Sequence, residues 1–359
     1  MKNNAFNVGI IGTGRVGIYW HLPDIREAGG QVVGLSDSVP GRAARFAAEQ
    51  QVEFAFDDWR KLVEHPEIPI ISICTPPHVH EEIAIAALEA GKHVYLEKPP
   101  AMNADEMRRI TEAAGKSDKV MFVGSNSIYY PENQALKRSI DAGEFGTIYY
   151  IEALKTWRRN YKKGWHRTRK IGGGGVGMDS CPHRLDLILY LLGNPAVVSV
   201  TARTYDHFMD RPIPPTHPAG YLVMDVQEGL VQAEEIKADV EDTLIAFIQL
   251  DNGCTIVLRD TALANMEEKT SMRIFGTGRG AELDPLIYYG EEDGIVTDTK
   301  PHIAPRPKGF HVLAWRHFFD CVQNNKPTWS PPERAVRVME IVDAIYESAE
   351  NNGKQVILK

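Results

Sequence analysis

Val8-Gly9-Ile10-Ile11-Gly12-Thr13-Gly14-Arg15-Val16-Gly17 is the stretch that decides the fold. A short apolar run leads straight into glycines at G-x-G-x-x-G spacing. Tyr19, Leu22 and Ile25 follow at helical intervals, so the stretch reads as strand, tight turn and helix. The first two glycines permit the turn and let backbone approach a pyrophosphate. The third lets the helix pack closely, and the helix N-terminus offers unpaired N–H groups and the positive end of its dipole. Gly12, Thr13, Gly14, Arg15 and Val16 are therefore expected to bind a dinucleotide. A second strand, 31–36, ends in Asp37, twenty residues beyond Gly17. A carboxylate there accepts both ribose hydroxyls and repels a 2′-phosphate, which favours NAD over NADP, while Arg42 nearby could serve a phosphate.

Outward from this unit, strands and helices alternate. Residues 68–74 precede a helix over 81–90, residues 93–97 precede one over 104–114, and 120–123 closes the series. Alternation of this kind predicts an α/β fold, a Rossmann-type doubly wound parallel sheet with helices on both faces, over residues 1–125. Ligands of such sheets lie beyond the carboxyl ends of the strands, here Asp37, Thr75-Pro76-Pro77-His78-Val79-His80, Glu97-Lys98-Pro99 and Ser125-Asn126. After Tyr130 the strands become long and alternating: 147–157, 197–205, 240–250, 254–261 and 271–275. Asp251-Asn252-Gly253 marks a hairpin. With helices over 182–192, 310–324 and 332–351, residues 126–359 read as an α+β domain with a large, open, mainly antiparallel sheet. Two proline-bearing stretches, 207–239 and 286–308, show no pattern. They read as pocket covers, oligomer contacts or surface excursions.

Length and composition agree. A chain of 359 residues exceeds one core, and 43% hydrophobic with 25% charged residues is ordinary for a globular protein. A net charge of −8 argues against a sequence-independent grip on nucleic acid. One basic stretch, Arg158, Arg159, Lys162, Lys163, Arg167, Arg169 and Lys170 among Trp157, Tyr161 and Trp165, has no recognition module beside it. Cys74, Cys181, Cys254 and Cys321 lack metal-site spacing and read as thiols in a reducing compartment. Without a leader pattern or a long apolar run, the expected location is the cytoplasm, away from membranes.

Oxidising an alcohol requires a proton acceptor, a group that steadies the developing alkoxide, and an aligned hydride acceptor. Lys98 stands at a ligand-side strand end, where its ammonium could donate to a substrate oxygen. Asp179 and His183 follow a glycine run and lie four apart at a helix start marked by Pro182, on one face. The helix terminus disfavours an imidazolium and Asp179 favours it, which could leave His183 a usable base. A capping Asp with an incidental His has the same spacing. No third ligand accompanies the pair, so no metal is expected, and a serine-hydrolase turn is absent.

These segments resemble the Gfo/Idh/MocA family, that of glucose-fructose oxidoreductase and inositol dehydrogenase, over nearly the whole chain. The matching residues are Val8–Gly14, Cys74–His80, Ala87-Leu88-Glu89-Ala90-Gly91-Lys92-His93-Val94-Tyr95-Leu96-Glu97-Lys98-Pro99, Gly172–Gly193, Val240–Thr243 and Asp343–Ala349. The resemblance implies Lys98, Asp179 and His183 as the catalytic set, with His183 the base. It implies Thr75, Pro76 and His80 as cofactor contacts, with the nicotinamide near Glu97, and an open sheet that forms dimers, tetramers or larger homo-oligomers. Asn126, at a strand end, joins the cofactor residues. Ser127-Ile128-Tyr129-Tyr130-Pro131 departs from the family, which often carries a basic residue there. Trp157, Arg158, Trp165 and His166 are substrate-pocket candidates by position, an exposed loop being the alternative. The expected reaction is NAD-dependent oxidation of a secondary hydroxyl of a sugar, glycoside or inositol (polyol). The alternatives are a redox-neutral deglycosylation through a transient keto-sugar, and a dinucleotide sensor without catalysis.

Overall fold

A computed structural model describes residues 6–160, 164–210 and 237–358. They form two compact units, Met1–Asn126 with Pro307–Val336, and Ser127–Arg306 with Arg337–Lys359.

The first unit is built on β1 (Asn7–Ile11), β2 (Gln31–Ser36), β3 (Phe54–Phe56), β4 (Ile70–Ile73), β5 (His93–Leu96) and β6 (Met121–Val123). The order is β3-β2-β1-β4-β5-β6 with every pairing parallel, and the sense in which successive strands are added reverses between β1 and β4. That reversal opens the ligand crevice of a doubly wound sheet. All four residues of β4 are buried, as a strand covered on both faces requires. Beyond the glycine turn a wide π-type turn, Val16–His21, runs into α1 (Leu22–Glu27). Then come α2 (Arg42–Gln50), α3 (Trp59–Val63), α4 (His80–Glu89) and α5 (Ala104–Lys116). Asn103 caps α5 by accepting from the Glu106 amide at 2.9 Å, and Glu106 returns a bond to the Met102 amide at 2.9 Å. The sequence reading passes over α2, α3 and β3, because a three-residue, half-buried edge strand carries too few residues to show a period.

The second unit begins with α6 (Pro131–Asp141), also unread in the sequence. Its sheet comprises β7 (Ile148–Thr156), β8 (Val197–Tyr205), β9 (Thr243–Leu250), β10 (Thr255–Thr261), β11 (Lys269–Gly276), β12 (Gly280–Leu283), β13 (Ile287–Glu292), β14 (Ile295–Thr299) and β15 (Val356–Ile357). The order is β14-β13-β12-β11-β7-β10-β9-β8-β15, antiparallel throughout except for β7 with β10. Three short helices, α7 (Arg169–Gly172), α8 (Val176–Asp179) and α9 (Cys181–Leu191), belong to this unit, and α8 packs on β9 and β10. Stretch 286–308 is thus corrected. Most of its first half is the hairpin β13–β14, turned by Asp293 and Gly294 at φ 52° and 77°, the left-handed pair of a two-residue hairpin. Of stretch 207–239, residues 211–236 lie outside the described residues, as do Tyr161, Lys162 and Lys163.

The chain then supplies α10 (Val312–Asn324) to the first unit and continues into α11 (Pro332–Glu350). In the first unit Trp315 stacks on Tyr95 at 4.3 Å, Phe319 on Phe6 at 4.4 Å, and Phe318 meets the edge of Phe122 at 5.7 Å. Tyr95, Phe122, Trp315 and Phe318 are each fully buried. A helix that begins at Val312, far downstream of β6 at Met121–Val123, therefore completes the core of the first unit. No described helix is long and apolar enough to cross a membrane.

Candidate active site

The three fingerprint glycines are needed for three different reasons. Gly12 has φ +96° and a Cβ there would stand 2.7 Å from the Cys74 carbonyl oxygen. A Cβ on Gly17 would stand 2.1 Å from the Gly12 carbonyl, so the turn and the following helix touch backbone to backbone. Gly14 faces open space, where a side chain would fill room a pyrophosphate can use. Asp37 is fixed at the end of β2. The Thr13 amide and hydroxyl donate to its Oδ2 at 2.9 and 2.7 Å, the Val39 amide donates to Oδ1 at 2.9 Å, and Arg42 lies 3.6 Å from Oδ1. At neighbouring strand ends, Thr75 Oγ1 and Asn126 Oδ1 are buried without a protein partner, so a donor or acceptor from a bound group would complete each. This edge fits a dinucleotide.

His80 is fully buried, and its ring bridges Thr75 O at 2.8 Å and Pro99 O at 2.9 Å, tying the loop after β4 to the loop after β5. Burial pushes its pKa down to about 4 against the pull of the two carbonyls. Only an imidazolium donates to both; the neutral ring that burial favours donates to one. Glu97, at the end of β5, is also buried. Its Oε1 accepts from His21 Nε2 at 2.9 Å and lies 3.3 Å from His311 Nε2, while Oε2 accepts from the Lys98 amide at 3.1 Å. Burial opposes the Glu97 charge, but hydrogen bonds to His21 and His311 overcome it and hold the carboxyl well below its usual range. These three side chains bring potential ligand atoms within 4.8 Å of one another, a grouping that sequence spacing could not reveal.

In the second unit the glycine run exists because other groups occupy the space beside it. A Cβ on Gly174 would lie 1.9 Å from the Tyr346 hydroxyl, and one on Gly175 would lie 1.8 Å from the Glu241 carbonyl oxygen. The buried Glu241 carboxylate accepts from the Gly175 amide at 3.0 and 3.1 Å, the Gly177 amide at 2.9 Å and the Tyr346 hydroxyl at 2.9 Å. This explains why β9 begins at Thr243 rather than at Val240: Glu241 is drawn to the glycine run. The run ends in α8, whose last residue is Asp179, and His183 is the third residue of α9. Both are half-buried amid buried neighbours. Ser180 occupies the N-cap position of α9 in helical conformation and makes no capping bond, so α8 nearly runs on into α9. Beneath, Arg184 pairs with Asp260 of β10 in full burial.

The pocket candidates disperse within this unit. Trp165 and His166 stack at 3.6 Å in a short 3₁₀ turn, and the Trp165 carbonyl and ring lie against Gly172. Trp157 follows β7 with the Lys155 ammonium 3.7 Å over its ring, whereas Arg158 is exposed. Three of the described basic residues are engaged within the unit: Arg159 donates to Ala264 O, Arg167 pairs with Asp210, and Arg169 with Glu350.

Such a sheet and glycine fingerprint, with a carboxylate fixed at the end of β2, are those of a dinucleotide-binding fold. The chain belongs to the Gfo/Idh/MocA oxidoreductase family: the profile of its NAD-binding Rossmann fold matches residues 6–125 and that of its C-terminal alpha/beta domain matches 137–358. Among characterised relatives, D-glucoside 3-dehydrogenase of Escherichia coli is 28% identical over 99% of this chain and 98% of its own. The NAD-dependent scyllo-inositol 2-dehydrogenase of Bacillus subtilis is 25% identical over 88% and 86%. The solved structure of levoglucosan dehydrogenase with NADH superposes with a TM-score of 0.83 at 24% identity, covering 99% of each chain, and shares the fold.

Proposed function

We propose that the enzyme oxidises a secondary ring hydroxyl of a sugar, glycoside or inositol. The observation that carries this reading is Lys98 at the ligand-side end of β5, its amide held by Glu97, in a chain aligned end to end with a glucoside 3-dehydrogenase. NAD, when bound, supplies the hydride acceptor. Gly12, Thr13, Gly14, Arg15 and Val16 would hold its pyrophosphate, Asp37 its ribose, and Thr75, Pro76 and Asn126 its nicotinamide half, with His80 and Glu97 fixing the loops that carry them. Lys98 donates from Nζ to the reacting oxygen and lowers the cost of an alkoxide. An imidazole nitrogen of His183 takes the hydroxyl proton, and Asp179 binds the adjacent hydroxyl or orients the ring. Trp157, Trp165 and His166 supply flat faces for a sugar or aglycone, and Arg158 a rim charge.

In functional terms the cofactor domain is residues 1–125 and the substrate domain 126–359, with the 307–336 segment serving the core of the former. The protein works in the cytoplasm, a setting supported by four unpaired cysteines. It acts as a homo-oligomer through the open face of its sheet. On β9 burial alternates strictly, and Ile245 and Phe247 stand 43% and 47% exposed. Phe247 is flanked by Thr201 and Val257, and Val198 on β8 adds to the apolar surface. Across the same sheet Arg273 lies between Glu152 and Glu282, at 3.9 and 3.4 Å, so apolar and two-signed surface occur together, as a self-complementary interface needs.

The test is NAD⁺ reduction followed by absorbance over a panel of methyl glucosides, levoglucosan and inositols. His183→Ala should abolish turnover and leave NAD binding intact; equal activity in the variant would sink the proposed mechanism. Keto-sugar chemistry without net reduction, with NAD still bound, would favour the redox-neutral reading.

A further inference from the structure

Glu97, His21, His311 and Asp24 form a buried charged cluster inside the first unit, beside Lys98. His311 comes from the segment just before α10, more than 200 residues from Glu97, and no sequence motif announces it. Its Nε2 lies 3.3 Å from Glu97 Oε1 and its Nδ1 3.4 Å from Asp24 Oδ2, while its own amide donates to Asp24 Oδ2 at 2.7 Å. The His21 ring sits 4.5 Å away, its Nδ1 bonded to Ser72 Oγ at 2.9 Å. All four residues are nearly sealed from solvent, the largest exposure being 6%. Two buried carboxylates facing one imidazole would be costly as packing alone, since a buried ion pair gains little stability over an apolar filling. What the cluster does have is a direct bond to the backbone of Lys98.

We propose that His311 is a positioning residue for hydride transfer: backed by Asp24, it clamps Oε1 of Glu97 so that Oε2 fixes the backbone from which Lys98 reaches the substrate. This rests on the reading of Lys98 given above. A neutral His21 donates from Nε2 and accepts the Ser72 hydroxyl at Nδ1. The His311 ring nitrogens stand at ion-pair distance from the two carboxylates, Nε2 from Glu97 and Nδ1 from Asp24, with Nδ1 outside hydrogen-bond geometry. Burial works against an imidazolium there, but Asp24 and Glu97 outweigh it and shift His311 above its ordinary value of 6.5. Burial and the neighbouring His311 shift His21 below its own. The titratable groups facing His311 are Asp24 from α1, His21 from the π-type turn and Glu97 from β5. Lys98 and Cys74 lie beyond Glu97, and Tyr95 lies beyond His21. The clamp is charged below the raised His311 pKa and loses its charge as pH rises through it, which gives kcat an alkaline limit.

The discriminating variants are His311→Gln and Asp24→Asn, which keep a hydrogen-bonding side chain and remove or shift the charge. Two readouts are taken on the whole enzyme. With a panel sugar and saturating NAD⁺, His311→Gln should lose the alkaline limit and lower kcat about 10- to 100-fold, the scale of a misplacement of about 1 Å, with KM for NAD⁺ unchanged. Asp24→Asn should move that limit to lower pH. Hydrogen exchange at the Lys98 amide, which needs no substrate, should speed by about ten-fold in His311→Gln, equivalent to about 1.4 kcal/mol of lost local protection. Faster exchange with no sugar turned over would sustain the clamp and reject the substrate reading. Unchanged exchange, a kcat–pH profile that neither variant alters, or a stoichiometric metal ion bound by wild type and absent from His311→Gln would each overturn the proposal.

Discussion

Glu241→Ala should destabilise the second unit and disable catalysis while sparing cofactor binding. The carboxylate is 3% exposed and receives three donors: the Gly175 amide, the Gly177 amide and the Tyr346 hydroxyl. Burial and Glu241 together raise the Tyr346 hydroxyl well above its ordinary pKa, so it remains a donor across the accessible pH range. A hydrogen bond to a charged group contributes about 1.5 kcal/mol or more, so three give about 4–5 kcal/mol, and the glycine amides have no room to rearrange. At about 2–4 °C per kcal/mol for a unit of this size, the melting temperature should fall by about 10 °C. Tyr346→Phe removes a single donor and should cost about 1.5 kcal/mol. Asp179 and His183 stand two and six residues after Gly177, so the surviving folded fraction of Glu241→Ala should show kcat at least ~10-fold lower, for the positional reason that a small displacement is expensive. Denaturant titration by circular dichroism and steady-state kinetics measure the two effects. Destabilisation below ~1 kcal/mol, or full kcat with an emptied nest of amides, would refute the reasoning.

Asp37→Ser removes the charge that repels a 2′-phosphate and releases Arg42, so affinity for NADP⁺ should rise about ten-fold relative to NAD⁺, or ~1.4 kcal/mol, by fluorescence titration. His80 titrates near 4 in the folded state against about 6.5 unfolded, so the unfolded chain binds the extra proton between those values. Stability therefore falls as pH drops from about 6.5 to 4, by about 3 kcal/mol from this residue. His80→Gln should flatten that part of the stability–pH curve, and an unaltered slope would contradict it. Phe247→Asp, on an exposed strand position, should lower the mass seen by light scattering without changing the fold, whereas an unchanged mass would remove the sheet face as the interface.

The Rossmann unit was legible because its signals are local. Gly12, Gly14 and Gly17 show their spacing within a single turn, and β4 announces itself by four consecutive buried residues. The hairpin β13–β14 was equally local, with Asp293-Gly294 as its mark, but the prolines downstream at 301, 305 and 307 obscured it. Lys98, Asp179 and His183 stood out by position at strand end and helix start. Glu241 and His311 did not, because each acts through partners tens to hundreds of residues away: Glu241 on Gly175 and Tyr346, His311 on Asp24 and Glu97. A reading by period and spacing has no access to pairs of that kind.

The two hidden carboxylates share a physical logic. In each unit a buried Glu accepts backbone amides of the segment that presents a proposed catalytic side chain: Glu97 at Lys98, and Glu241 at Gly175 and Gly177 upstream of Asp179 and His183. Loops and glycine runs carry high conformational entropy, so a reactive group placed on one would wander unless its backbone is tied. Apolar packing cannot do this for a glycine run, which has no side chains to pack. A carboxylate can, since it accepts from several amides at once and each bond is charge-assisted. The desolvation cost of burying that charge is met differently in the two units: by the Tyr346 hydroxyl and three amide contacts around Glu241, and by two histidines around Glu97. Only the second arrangement contains imidazoles, one shifted below and one above its ordinary value. Mutating Glu241 should therefore lower activity by a similar factor at all pH values, whereas perturbing the Glu97 cluster should change the shape of the pH profile itself.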